Sequence, residues 1–460
     1  MNEITRKDKI KQILSTEIKL DDVVKGLFGD KIKTIILCII MLSFPILELY
    51  SEIIGRTYQL QQPILQFIGI ALFIYLCIDF LRKKHHMLVV SDLIIVLSIL
   101  FVIISIVFSI DPYFSLTGYE LYTDEDCLQV FGYFMVFMMA TSIEDIRHKK
   151  KIIFMFVGVA VLHTIPAFMQ RFDIWSYESF RPREVAGAYG LTQHYNCYAA
   201  LAVMFSALAT VLFVAKKTKY RYIWYMVAIV FFVASMYSWC RIAWVGILVY
   251  MLFIPVFEIY QKKKNLESNI DIHCYFMMFL TFVLLFVLMA FFDKSVSSQF
   301  VETSKEVSGN STGIGNNRMH IWSVGLYAVK DHLITGLGFD NYRRAFWLYP
   351  EWDRIWYAYK GHNEYIHILV TQGVFSAINY IVLCVYSFFF GIKQYLNDEK
   401  NNKCRWVIYT LLCMIIAYFS QAFFNDSECN VAVYKWMIMG LLLPRSKQKI
   451  LCKSREKEMA

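Results

Sequence analysis

Long apolar runs recur along this 460-residue chain, and they constrain its fold more than any other feature. A helix that crosses a membrane needs about 20 mainly apolar residues. Twelve stretches approach that length: 34–51, 63–81, 91–110, 128–143, 152–169, 193–215, 222–239, 242–260, 274–292, 364–390, 406–424 and 431–444. The runs therefore predict an all-α membrane protein with about twelve transmembrane helices, and Asp111-Pro112 is expected to end the third.

The composition agrees with this prediction. Hydrophobic residues make up 58% of the chain and charged residues only 18%, whereas soluble proteins carry about 25% charged residues. The net charge of +9 is spread over short clusters between the apolar runs. A nucleic-acid-binding protein would gather its positive charge on one soluble face. We therefore predict membrane lipids, and not nucleic acid, as the partners of this chain.

The placement of lysine and arginine predicts the orientation, because these residues are enriched in cytoplasmic loops. With twelve crossings and both termini inside, 32 of the 46 lysines and arginines lie in cytoplasmic pieces. Thirteen lie in external pieces, eight of them in one long loop. We predict a cytoplasmic segment 1–33, nine helices over 34–292, an external loop 293–363 containing short helices, three helices over 364–444 and a basic cytoplasmic tail 445–460.

The sequence shows no pattern that is typical of a metal or nucleotide site. The eleven cysteines lack metal-ligand spacing, and most lie in apolar runs, where a thiol behaves as a small hydrophobic group. Cys127 and Cys429 fall in predicted external loops, which leaves a disulfide between them open. There is no Walker lysine motif, no HExxH motif and no acidic pair with metal spacing. We therefore predict no metal and no cofactor.

Polar pieces on the predicted external side are the candidates for chemistry. They are His194 and Asn196 at the sixth segment, Arg241 in the tight turn before the eighth, Arg318 and Trp322 in the long loop, and His362, Asn363 and Glu364 at the tenth segment.

Two kinds of chemistry fit these residues. An arginine suits a phosphate, because its planar guanidinium can donate two hydrogen bonds and stays charged. Arg241 equally fits a side chain that snorkels to the interface, and Arg318 a solvated charge. An amphipathic helix over Asn317–Lys330 lying on the bilayer would instead hold Arg318 close to the membrane surface. His362 can exchange a proton near neutral pH and is a candidate general base, with Glu364 as the alternative. Asn363 equally suits the cap of the next helix.

The order of these residues resembles the O-antigen ligase and O-antigen polymerase family of bacterial membrane glycosyltransferases. The resemblance covers roughly residues 190–390. The matching residues are Ser238 to Arg241 between two spans, Arg318 with Trp322, Gly336 and Gly338 with Phe346, and His362-Asn363.

That resemblance implies a metal-independent enzyme of the bacterial cytoplasmic (inner) membrane with its active site facing outside. Its donor would be a glycan joined by a diphosphate to a polyprenyl lipid such as undecaprenol, and its acceptor a hydroxyl of a glycan, lipid or wall. Arg241 and Arg318 would hold the diphosphate, and His362 would be the general base. The candidate substrate-binding residues are Asn196, His194, Trp322, Asn363 and Glu364. Polymerisation and ligation both remain open.

A transporter of a lipid-linked sugar or small anion is the alternative. Transporters place binding groups near the bilayer midplane, on helices broken by glycine or proline. Glu48 near Pro45, His163 near Pro166, and Lys435 would be those groups. The sequence suggests no partner for any of the three, and no two-fold internal repeat is apparent.

Overall fold

The computed structural model describes residues 26–53, 60–83, 87–118, 125–174, 187–192, 194–215, 220–307, 318–348, 358–397 and 404–453. Within these ranges, nine helices are long and apolar enough to cross a membrane, and three further apolar helices are shorter. Each of the twelve overlaps one predicted segment. The protein is therefore an all-α membrane protein in its main architecture, while the number of crossings stays a prediction.

The elements are numbered here in chain order. They are α1 (Asp30–Ile53), α2 (Gln61–Arg82), β1 (Met87–Val89), α3 (Val90–Val107), α4 (Pro112–Thr117), α5 (Cys127–Thr141), α6 (Ile146–Arg171), α7 (Tyr195–Val214), α8 (Arg221–Tyr237), α9 (Ile242–Lys263), α10 (Ile272–Phe292), α11 (Lys294–Val307), α12 (Arg318–Val329), a 3₁₀ turn (Tyr342–Arg344), α13 (Ala345–Leu348), α14 (Glu364–Asn397), α15 (Arg405–Ala422), α16 (Cys429–Leu442), a 3₁₀ turn (Arg445–Lys447) and β2 (Ile450–Lys453).

The third segment differs from its prediction. The predicted segment runs to residue 110, whereas α3 ends at Val107, and Asp111-Pro112 begins α4. The Asp111 carboxylate accepts a hydrogen bond from Phe114 N at 3.3 Å, and Pro112 occupies the first helical position, where no N–H donor is required. The dipeptide therefore starts a helix rather than ending one.

Loops predicted to share a side contact one another. At one end, Glu144 N donates to Asp30 (3.0 Å), and β1 pairs antiparallel with β2, so that part of the predicted basic tail is folded into a two-stranded sheet. At the other end, Arg171 pairs with Asp293 at 2.9 Å, and Arg344 pairs with Asp111 at 2.8 Å. We call the first the sheet end. We call the second the histidine end, after His362, which was predicted on the same side. Which end faces the cytoplasm stays a prediction from charge.

The core is built around α7. Every residue from Asn196 to Val214 is buried, and α6, α8, α9 and α15 pack around the helix. Many of its side chains are small, including Ala199, Ala200 and Ala207. Small residues let helix backbones approach closely, which is how helices associate where lipid provides no hydrophobic driving force.

The long loop is held to α14 by a break in that helix. At Gly373 the backbone has φ +82°, which interrupts the helical hydrogen bonds. The carbonyls of Val370 and Thr371 instead accept hydrogen bonds from Leu337 N and Gly338 N, each at 2.8 Å. Backbone groups freed by such a break must find protein partners in an apolar environment. The loop residues around 337 supply them.

The predicted helix in the long loop is present, but it packs on protein rather than lying free on a bilayer. α12 buries Val324 and Ala328 in a small apolar core with Tyr342, Phe346 and Val370 of α14. The sequence pattern indicated the helix correctly. It could not show that the buried face belongs to the protein's own broken helix.

A buried ion pair joins α14 to α16 near the histidine end. Lys435 Nζ donates to Glu364 Oε1, and both side chains are almost fully buried. Tyr380 donates to Glu364 Oε1 at 2.7 Å, Tyr418 donates to Oε2 at 2.8 Å, and Lys435 donates to Ser427 Oγ at 3.1 Å. Such a pair is tolerated only when further hydrogen bonds satisfy both charges, as they do here.

We expect Glu364→Gln to destabilise the protein by about 3–5 kcal/mol, because it leaves the Lys435 charge buried without a counter-charge. The double variant Glu364→Gln/Lys435→Met should recover most of this loss, since no uncompensated charge remains. Glu302→Gln, on an exposed side chain, is the matched control. Unfolding of the purified full chain in detergent measures the effect. A double variant as unstable as the single one would contradict it.

Candidate functional site

His362 and Asp426 form the centre of the candidate site at the histidine end. His362 Nδ1 lies 2.7 Å from Asp426 Oδ2. About a third of the His362 side chain is exposed (37%), whereas Asp426 is buried (6%). His362 has a left-handed backbone (φ +46°) in the turn before α14, and the Asn363 side chain caps that helix by accepting a hydrogen bond from Ile366 N at 3.0 Å. The cap therefore fixes the turn that presents the imidazole.

The carboxylate controls the protonation of this histidine. Burial disfavours the charged imidazole, but Asp426 outweighs burial and holds the pKa of His362 above its ordinary value. Burial by itself would raise the pKa of Asp426. The charge of His362 and its hydrogen bond outweigh this effect, and the pKa of Asp426 is lowered to about 2. Because Nδ1 faces the carboxylate, Nε2 is the ring nitrogen left to accept a proton.

The two predicted diphosphate-binding arginines both act electrostatically on the thiol of Cys240. Burial raises the pKa of the Cys240 thiol, and the nearby charges of Arg318 and Arg241 partly offset that rise. Arg241 directly precedes the first residue of α9, and its guanidinium donates to Thr303 Oγ1 of α11 at 3.2 Å. Arg318 also opposes the protonation of His362. The structure therefore brings Arg318 within electrostatic range of both His362 and Cys240, although Arg318 lies 44 positions before His362 in the sequence, while Arg241 acts on Cys240.

Asn196 and His194 connect the parts of the site. The Asn196 side chain accepts from Cys240 Sγ at 3.0 Å, and its backbone carbonyl accepts from Asn425 Nδ2 at 3.0 Å. His194 caps α7 by accepting from Asn196 N at 3.1 Å. These contacts link the arginine turn, the start of α7 and the loop that carries Asp426. A direct role of either residue in substrate binding stays a prediction.

The other candidates differ in accessibility. Trp322 Nε1 donates to the carbonyl of Gly361 at 2.9 Å, next to His362, so its indole fixes the position of the histidine turn. Glu364 has both carboxylate oxygens engaged by Lys435, Tyr380 and Tyr418. Geometry therefore favours His362 over Glu364 as the base.

The sequence interpretation missed Asp426 and Lys360. Lys360 is buried and donates to the carbonyl of Ser427 at 3.0 Å. Burial disfavours its charge, but Glu125, Glu428 and Asp426 more than compensate, so the pKa of Lys360 is raised. The available indication was the polar run Asn425-Asp426-Ser427-Glu428 between two apolar segments. Polar groups at a membrane helix end also occur for purely structural reasons.

The groups proposed for a transporter all have partners within the protein, contrary to the expectation from sequence. Lys435 pairs with Glu364, Glu48 accepts from Gln61 Nε2 at 2.9 Å, and His163 Nδ1 accepts from Leu191 N at 3.4 Å. The disulfide that the sequence left open does not form, because Cys127 and Cys429 are both free thiols. Within the described ranges, no three His, Cys, Asp or Glu residues come together as a metal site.

Comparison with known proteins finds one family model that matches part of the chain. A family model described as O-antigen ligase matches residues 227–381, about a third of the chain. The match contains Arg241, Arg318, His362 and the break in α14, whereas Asp426 lies beyond it. No curated protein matches the chain. Over residues 227–381 this chain is therefore similar to the O-antigen ligase family, and this similarity supports a role in the ligation or polymerisation of polysaccharides.

Proposed function

We propose that this chain transfers a glycan from a polyprenyl-diphosphate donor to an acceptor hydroxyl on the outer side of the bacterial cytoplasmic membrane. The observation that carries the proposal is the His362–Asp426 pair, with Arg318 acting on His362 and both Arg318 and Arg241 acting on Cys240. The acceptor oxygen bonds to the anomeric carbon while the bond from that carbon to the diphosphate breaks. The hydroxyl proton goes to Nε2 of His362, and the polyprenyl diphosphate leaves.

Arg241 and Arg318 are suited to stabilise the diphosphate leaving group. Negative charge builds on the diphosphate as the glycosidic bond breaks, and donors placed in advance stabilise that charge without reorganisation. The guanidinium group of an arginine carries a positive charge and can make two parallel hydrogen bonds to phosphate oxygens. The donor is already activated, so no nucleotide is needed.

Asp426 has the chemistry to prepare the base. A buried carboxylate on Nδ1 selects the tautomer in which Nε2 is free to accept a proton, and it stabilises the imidazolium that forms. The Lys360 contact to the Ser427 carbonyl holds the loop that carries this carboxylate. Asp426 therefore acts on the reaction through His362 and is a positioning residue.

We expect His362→Gln to lower turnover by about 10²–10⁴-fold, which is the usual contribution of general base catalysis. Arg241→Lys and Arg318→Lys should each lower it by about 10²–10³-fold, because lysine cannot reproduce the paired donors. The assay is incubation of the purified full chain with a polyprenyl-diphosphate oligosaccharide and analysis of the glycan products. A ladder of lengths indicates polymerisation, and a single transfer to added acceptor indicates ligation.

Matched controls are His273→Gln and Arg147→Lys, both exposed at the sheet end. They should leave turnover unchanged. If His362→Gln, Arg241→Lys and Arg318→Lys all turned over at the wild-type rate, the roles proposed for these residues would be wrong. Movement of the donor across liposomes without any glycan product would instead establish the transporter.

The pH dependence tests Asp426 separately. His362 must be neutral to accept a proton, and its pKa is raised, so the acidic limb of kcat should lie above the ordinary histidine value of about 6.5. Asp426→Asn removes the charge that raises this pKa, so the limb should move to lower pH while the maximal rate falls. A lower rate with an unmoved limb would mean that Asp426 has only a structural role.

A further inference from the structure

A cavity lies at the sheet end, which is the end of the helical bundle opposite to His362. It has a volume of about 440 Å³ and lies between α2, α3 and α5. Its walls are mainly apolar, as at Phe73, Ile99 and Met135. Its charged lining residues stand at helix ends instead, with Asp79 and Lys83 at the end of α2.

The dimensions of this cavity match one leaflet of a bilayer. Ten residues of chain separate Lys83 from Phe73, which is about 15 Å of helical rise. The hydrocarbon core of a membrane is about 30 Å thick, so the cavity extends from the interface to near the midplane. A ligand that fills it must be apolar at its deep end and polar at its shallow end.

Three cations surround one carboxylate at the shallow end. Asp79 is contacted by three cations: Lys83 at 3.0 Å, Arg82 at 3.0 Å and Lys33 at 3.3 Å. The second acid, Asp92, is matched by Arg445 at 2.7 Å. Of these four cations, Lys83 and Arg445 line the cavity itself, whereas Lys33 and Arg82 contact Asp79 without lining it. Lys83 is the most exposed of the three around Asp79, with 45% of its side chain accessible.

The C-terminal segment closes one side of the cavity. Besides its contact with Asp92, Arg445 lines the cavity itself. Beyond it, Gln448 accepts a hydrogen bond from Ser91 N at 3.0 Å, and β2 pairs with β1. The cationic rim is therefore built from three separate parts of the chain and is not one mobile basic tail.

We propose that this cavity binds an anionic phospholipid. The phosphate is held by Lys83, the most exposed of the three cations around Asp79, and one acyl chain lies between α2 and α3. Basic pockets between transmembrane helices are known to bind anionic lipid head groups, and each nearby lysine or arginine adds about 1 kcal/mol. The proposal does not depend on glycosyl transfer, because the cavity lies at the other end of the protein.

Native mass spectrometry of the purified full chain tests this by titration with phosphatidylglycerol and with phosphatidylcholine of the same acyl chains. The wild type should bind phosphatidylglycerol more tightly. Lys83→Gln should weaken that binding roughly five-fold and leave phosphatidylcholine binding unchanged. Ile99→Trp, which fills the cavity, should reduce the binding of both lipids. Inorganic phosphate alone should not compete.

Lys263→Gln removes one exposed charge at the sheet end, away from the cavity, and should behave as the wild type. Lys83→Arg keeps the charge and should retain binding, which separates a loss of charge from a loss of folding. Equal binding of the two lipids by the wild type would overturn the proposal. So would equal effects of Lys83→Gln and Lys263→Gln, or unchanged binding in Ile99→Trp.

Discussion

The buried pair of Glu364 and Lys435 is the interaction on which the candidate site depends. Each charge would be costly in this apolar interior, so both are satisfied by tyrosines and by Ser427. Glu364 begins α14, two residues after His362, and Ser427 directly follows Asp426. The requirement to satisfy one buried ammonium therefore brings the histidine turn and the carboxylate loop together.

The same constraint acts on the backbone at the break in α14. Interrupting the helix at Gly373 leaves carbonyls that need donors, and the amides of Leu337 and Gly338 provide them. This anchors the long loop, whose helix α12 places Arg318 near Cys240 and His362. The loop is thus packed into the helical bundle. The backbone hydrogen bonds at the break in α14 determine where Arg318 lies.

The apolar segments could be predicted from sequence, because a helix in lipid needs a long uninterrupted run of apolar residues. Helix boundaries do not follow from such runs alone: Asp111-Pro112 suits both the end of one helix and the start of another, and the hydrogen bond that the Asp111 carboxylate accepts from Phe114 N shows the second. Arg241, Arg318 and His362 could be singled out because their residue types and their order along the predicted external pieces resemble those of a known family. Asp426 could not, because its partner lies 64 residues earlier in the chain.

The sequence by itself determined the all-α membrane architecture and the residue types available for chemistry, since both follow from local composition and from the free energy of burying polar groups in lipid. Only the tertiary structure decided which polar groups meet. It paired His362 with Asp426. It engaged both carboxylate oxygens of Glu364 in hydrogen bonds, so that Glu364 is not available as a base. It also placed Lys33, Arg82 and Lys83 around Asp79. Such pairings depend on distances between helices that are far apart in the chain, and no local pattern specifies those distances.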